Sequence, residues 1–156
     1  MHPNEALVRR FYDAFARRDA DAMAACYADD IAFSDTVFPM LRGGEAGDMW
    51  RMLASRATDL LVTLDRVSAD DLGGTAQWTA RYTFARTGLP VVNVIQATFA
   101  FRDGRIVRHI DNFPFWRWAS QALGPVGKFL GWFPPVKAGV RREAAKGLAQ
   151  FRAKRA

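Results

Sequence analysis

Cysteine is nearly absent: Cys26 stands alone among 156 residues, so no intramolecular disulfide is possible and the chain does not call for an oxidising compartment. No apolar run approaches the length that crosses a bilayer. The first twenty-one positions, Met1 to Asp21, follow a polar-faced helical pattern instead of a basic-then-apolar leader, and a cytoplasmic location is expected. Histidine occurs at positions 2 and 109 only, too few with one cysteine for a dedicated metal-ligand set. Neither a Gly-x-Gly-x-x-Gly nor a Walker-type loop is present, so nucleotide binding is not indicated and no cofactor is expected. Acidic residues are scarce at the C-terminus. After Pro135 seven basic side chains face Glu143 alone, which accounts for the whole net charge of +6. The rest of the chain is balanced and has no interleaved basic and aromatic strands, so nucleic acid is not an expected partner.

What remains is a chain that is half hydrophobic and long enough for one domain with a real core. Asn4 is the expected cap of a first helix reaching Arg18, with Leu7, Phe11, Ala14 and Phe15 on one face. Asp19 or Asp21 is expected to cap a short second helix running through Tyr27. A third helix is expected over Glu45–Thr58, presenting Trp50, Leu53 and Ala57, after a break at Pro39 and Gly43-Gly44. The period then changes to two. Leu60–Ser68, Thr75–Arg86, Val91–Arg102 and Arg105–Phe113 read as strands, the last two joined by the tight-turn signal Asp103-Gly104. Helices followed by long antiparallel strands predict an α+β domain with helices covering one face of a curved sheet.

One carboxylate stands out. From Ile31 to Phe38 the pattern predicts a strand on which Ile31, Phe33, Asp35 and Val37 share a face. An aspartate there is either an edge residue reaching water or a carboxylate in a partly dry pocket. Burial would raise its pKa and make it a usable base near neutral pH.

Residues 114–156 form a separate stretch beyond the 1–113 domain. It is crowded with Phe115, Trp116, Trp118, Phe129, Trp132 and Phe133, and ends in a basic helix from about Val136 with Val140, Ala144, Leu148 and Phe151 as its apolar stripe. Two readings stay open. The extension packs on its own domain or on a dimer mate, or it lies on a membrane surface, peripheral to the inner face, with Trp and Phe on one side and Lys and Arg on the other.

The order helix, helix, Tyr27-Ala-Asp-Asp30, strand, Gly-rich turn, helix and four strands resembles the nuclear-transport-factor-2-like (NTF2-like) superfamily, over about residues 4–113. Its members include ketosteroid isomerases and SnoaL-like polyketide cyclases. The segment Asp19 to Asp35 is similar to the isomerase stretch that ends in the general-base aspartate. The resemblance implies a cone, a mostly antiparallel sheet wrapped around helices, with a small apolar molecule as partner and a homodimer as assembly. The isomerase oxyanion-hole tyrosine falls at Phe11, with Tyr12 about 100° further round the helix and expected to point elsewhere. The isomerase protonated aspartate falls at Ala97, near Asn93 and Gln96. Both donors are therefore missing, which argues against ketosteroid chemistry.

On the last strand His109, Asp111 and Phe113 alternate onto one face, which the resemblance assigns to the cavity. The expectation is a cofactor-free isomerase, lyase or cyclase. Asp35 would take a proton beside a carbonyl and His109, oriented by Asp111, would donate one. Phe11, Tyr12, Trp50, Asn93, Phe99 and Phe113 are the candidate ligand-facing residues. The alternatives are a His–Asp pair that merely holds the strand end, and a binding or dimerisation protein on the same scaffold.

Overall fold

The structure, a computed structural model, describes residues 1–155; Ala156, the last residue of the expected extension, lies outside the described residues. Helix α1 (Pro3–Ala16) is capped two residues earlier than expected. His2 is its cap, the imidazole Nδ1 accepting from the Asn4 N–H at 3.0 Å, and Pro3 fits the first turn because no N–H is needed there. Asp19 caps α2 (Ala20–Ala25) through the Ala22 N–H. Tyr27, expected at the end of that helix, instead opens strand β1 (Tyr27–Ser34). A two-residue strand β2 (Leu41–Arg42), absent from the sequence reading, returns against Phe33 before α3 (Gly44–Arg56).

The four remaining strands are β3 (Leu61–Ala69), β4 (Gly74–Phe84), β5 (Leu89–Arg102) and β6 (Arg105–Asn112). The sheet order is β2-β1-β6-β5-β4-β3, with every pair antiparallel except β1–β6. Asp103 and Gly104, both at positive φ (52° and 76°), make the two-residue β5–β6 turn that the Asp-Gly signal predicts. Breaks in register at Leu64–Arg66 and Ala100–Phe101 add twist to long strands and help the sheet to curve. On β5 the period of two is strict: Val91, Asn93, Ile95, Ala97 and Phe99 are buried on the concave face. The main core lies between that face and α1–α3, with Phe11, Met23, Ile31 and Phe33 among its fully buried members. Each such side chain contributes about 2 kcal/mol by leaving water.

The extension packs on this same domain as three helices, α4 (Phe115–Ala122), α5 (Pro125–Leu130) and α6 (Pro134–Arg155). Phe115, Trp118, Ala119 and Ala122 build a second core with Val91 of β5. Gly127 of α5 backs directly onto the Ala119 carbonyl, where a Cβ would not fit. The 22-residue α6 then crosses to α3, burying Leu148 and resting Phe151 on the main core. Its far end is clamped electrostatically: Arg152 and Arg155 reach Asp48 at 2.9 and 3.4 Å, and Arg141 donates to the Thr36 carbonyl at 2.9 Å. Asp48→Ala is expected to cost about 1 kcal/mol, the scale of an exposed ion pair, and to speed amide exchange over residues 148–155. Hydrogen-exchange mass spectrometry reads this directly, and unchanged protection would mean that the Asp48 ion pairs are not needed to hold the helix beside Leu148, Phe151 and the Arg141 contact. Among the described residues no helix is long and apolar enough to cross a membrane.

Candidate functional site

The concave face, α3, α4 and α6 enclose a cavity of about 590 Å³. Its walls are mostly apolar and aromatic, including Trp50, Trp78, Tyr82, Phe113 and Trp118, and its acidic groups at the inner wall are Asp35 and Asp111. A larger depression of about 810 Å³ lies across the Val37–Phe38 turn, under α6. Its charged residues Glu45, Asp48, Arg152 and Arg155 are paired with one another and Arg141 donates to the Thr36 carbonyl, which leaves the inner cavity as the chemical candidate.

Asp35 is not mid-strand. Strand β1 ends at Ser34, and Asp35 opens the turn into β2. Its N–H donates to the Phe38 carbonyl at 2.8 Å, while Oδ1 accepts from the Val37 and Phe38 N–H groups at 2.7 and 2.6 Å. That Asx-type turn uses one carboxyl oxygen and leaves Oδ2 without a protein partner among the described residues. Burial pushes the Asp35 carboxyl up to about 7, assisted by the charge of Asp111 and opposed by the two N–H groups and Arg141. A partly dry carboxyl poised near neutrality thus faces the cavity, by a different backbone route from the one the alternation predicts.

Asp111 reaches the same cavity with a rigid support behind it. Its Oδ1 accepts from His109 Nε2 at 2.9 Å and from Trp78 Nε1 at 3.3 Å. His109 Nδ1 lies 2.8 Å from the Tyr27 hydroxyl, which itself accepts from Trp50 Nε1 at 2.9 Å. The directions close in one sense for a neutral imidazole. Trp50 donates to Tyr27, Tyr27 to Nδ1, and Nε2–H to Asp111. Asp111 Oδ2 is left for the cavity.

His109 itself was expected on the cavity wall as a proton donor. The structure corrects this: the imidazole is fully buried, one layer behind Asp111, with Phe11, Phe33 and Phe99 rings 5.5, 5.1 and 4.5 Å away. It hydrogen-bonds Asp111 and does not line the cavity. Of the six candidate ligand-facing residues, Trp50, Asn93 and Phe113 line the cavity, whereas Phe11, Tyr12 and Phe99 belong to the core beneath it. Tyr12, expected to point elsewhere, packs inward against Trp78 at 5.8 Å with a buried hydroxyl that has no partner among the described residues. Burial, then the Asp111 charge, raise its pKa well above the usual phenol range.

Two donors complete the site: Tyr82, which the sequence reading passed over, and Asn93, which it named as ligand-facing. Trp118 Nε1 donates to the Tyr82 hydroxyl at 2.8 Å, so that the Tyr82 proton has no acceptor among the described residues and is free for a ligand. Burial raises the Tyr82 pKa and the nearby Asp35 charge raises it further, which places phenol and carboxylate in one field. Asn93 offers an amide from β5, buried and without a side-chain partner among the described residues. The signal for Tyr82 was the inward alternation Ala76, Trp78, Ala80, Tyr82 on β4. Among the described residues no group of three His, Cys, Asp or Glu is placed to hold a metal ion.

Solved structures share this architecture. A candidate polyketide cyclase from Xanthomonas campestris is 26% identical, covering 74% of this chain and 93% of that one, with a TM-score of 0.63. An LEH-like epoxide hydrolase from M. tuberculosis is 23% identical over 85% of this chain and 96% of its own, with a TM-score of 0.66. A Catenulispora acidiphila protein of ketosteroid isomerase-like fold, solved with trimethylamine, gives 14% identity and a TM-score of 0.67 over 76% and 93% of the two chains. No curated protein matches the sequence. The SnoaL-like domain family matches residues 8–109, from the first helix through β6 to His109 behind the cavity, and the chain belongs to that family.

Proposed function

We propose that the chain is an acid–base enzyme of the isomerase, lyase or cyclase kind acting on an apolar carbonyl compound. The observation that carries this reading is Asp35, a carboxyl held near 7 with one oxygen free toward a mostly apolar cavity. The ionised Oδ2 takes the proton from the carbon beside the carbonyl, and the C–H electron pair moves into the enolate. The Tyr82 hydroxyl and the Asn93 amide are the donors for the developing enolate oxygen, in place of those missing at Phe11 and Ala97. The charge of Asp111, fixed by His109 and Trp78, keeps Asp35 basic enough for the transfer. Asp35 then returns its proton to the same or a conjugated carbon, so no group outside the chain is consumed. The likeness to a candidate polyketide cyclase supports this direction.

The test needs no knowledge of the natural substrate. A panel of apolar cyclic ketones is incubated in D₂O, and loss of the α-proton signals is followed by NMR. Wild type is expected to accelerate exchange for some members, with a rate rising through pH about 7 as Asp35 ionises. Tyr82→Phe is expected to slow that exchange about a hundredfold, the usual loss for one oxyanion donor. Asp35→Asn is expected to abolish the acceleration. If no ketone exchanges faster with wild type than with Asp35→Asn, the catalytic reading fails. One observation favours a second reading, ligand binding without turnover: Asp35 already serves the β1–β2 turn through Oδ1. On that reading ketones are retained by the protein with no exchange at all.

A further inference from the structure

The outer end of the extension exposes an apolar surface that has no role in the cavity. Phe129 and Trp132 are 68% and 69% exposed, Trp116 48%, and Leu130 and Phe133 nearly as much. None of the five lines the cavity. They form one surface. Trp116 Nε1 donates to the Lys128 carbonyl at 3.1 Å, Trp132 Nε1 donates to the Phe129 carbonyl at 2.9 Å, and the Trp132 and Phe133 rings lie 5.8 Å apart. Both indole N–H groups are thus satisfied by the protein's own backbone. The rings can enter a less polar medium without stranding a donor.

The stretch of chain that carries this surface has charge of almost one sign. Arg117, next to Trp116 in the chain, is exposed, Lys128 sits over the Phe129 ring at 5.9 Å, and Lys137 over the Phe115 ring at 5.8 Å. From Asn112 to Arg155 the sequence contains a single carboxylate side chain, Glu143. A second copy of the chain, docked about a two-fold axis through this patch, would set cations against the same cations. A surface of dense negative charge over an apolar interior fits both features.

We propose that residues 116–133 dock the protein on an anionic phospholipid surface, with Trp116, Phe129, Trp132 and Phe133 entering the headgroup boundary and Arg117 and Lys128 at the phosphates. The protein then lies on the membrane without crossing it. The docking stands apart from the carboxylate chemistry, so either can fail alone.

The full chain is tested by co-sedimentation with vesicles of phosphatidylcholine alone, or of phosphatidylcholine mixed with equal phosphatidylglycerol. Binding is expected only with the mixed vesicles, with a blue shift of tryptophan emission and a decline as salt is raised. Arg117→Ala with Lys128→Ala is expected to weaken binding about fivefold per charge removed. Phe129→Ala with Trp132→Ala is expected to weaken it at least about tenfold. These side chains are exposed, so a thermal midpoint unchanged from wild type serves as the folding control. Two results overturn the proposal. One is equal sedimentation of wild type and the double aromatic variant. The other is a dimer that the aromatic variant dissociates, with no binding to either vesicle, which assigns the surface to a second copy.

Discussion

Asp35→Asn is expected to make the protein more stable while it removes α-proton exchange. The wild-type carboxyl titrates near 7 in the folded protein against 3.8 in the unfolded chain. Its contribution to folding is therefore fully present below about pH 4 and is lost as pH rises through 7, because the unfolded state releases the proton first. A shift of that size corresponds to about 4 kcal/mol as an upper bound. Asparagine keeps an Oδ1 for the Val37 and Phe38 N–H groups and has nothing to ionise. The variant and wild type should unfold at similar denaturant concentrations near pH 4. The variant should gain steadily to about pH 8 and then hold its lead. Exchange catalysis should fall by about a hundred- to ten-thousandfold over the same range, the usual value of a positioned base. Denaturant titrations at a series of pH values decide the first part. Parallel pH curves for the two proteins would show that Asp35 ionisation is not coupled to folding.

The second large effect belongs to His109. Its ring is fully buried, bridges Tyr27 to Asp111, and packs among Phe11, Phe33 and Phe99. His109→Ala removes the bridge and leaves a cavity where the imidazole stood. Two polar groups lose a buried partner, at about 1 to 3 kcal/mol each, and the lost packing adds to that. A destabilisation of about 4 to 5 kcal/mol is expected, readable as a shift in the unfolding midpoint. A milder variant separates position from fold. His109→Gln fills most of the volume and can donate to Asp111, so it should recover stability while exchange and its pH profile change through a displaced Asp111. A loss below about 1 kcal/mol in the alanine variant would mean that Trp78 alone holds that carboxylate.

Most of the scaffold was legible because it rests on strong periodicities. The alternation of β5 appears in the sequence as it stands in the fold, and so does the inward face of α1 except that Val8 and Tyr12 widen it. Asp103-Gly104 signals its turn through backbone preference alone. The errors have a common cause: alternation gives the face of a strand and neither its end nor its depth. Asp35 was placed on the correct side of the sheet, yet the ladder stops one residue earlier. The Asx turn that replaces it competes with strand geometry through a side-chain oxygen. His109 and Asp111 do share a face, but along that face the cone runs from closed to open. The same alternation therefore puts one residue in the core and the other on the wall. Tyr82 and Tyr27 matter through partners far away in sequence, Trp118 and His109, which no local pattern can supply.

Helix α6 contributes Val140, Ala144 and Gly147 to the cavity, and α4 contributes Trp118, all beyond the 8–109 segment that the family shares. Asp35, Tyr82 and Asn93 therefore lie within the family segment, while part of the enclosure around them comes from chain beyond it. Inheritance of the family segment transmits Asp35 without transmitting the whole shape of the space it addresses. Reaction type and molecular selectivity can diverge independently in such a protein, and a substrate borrowed by analogy from a relative without this appendage would be judged against the wrong wall.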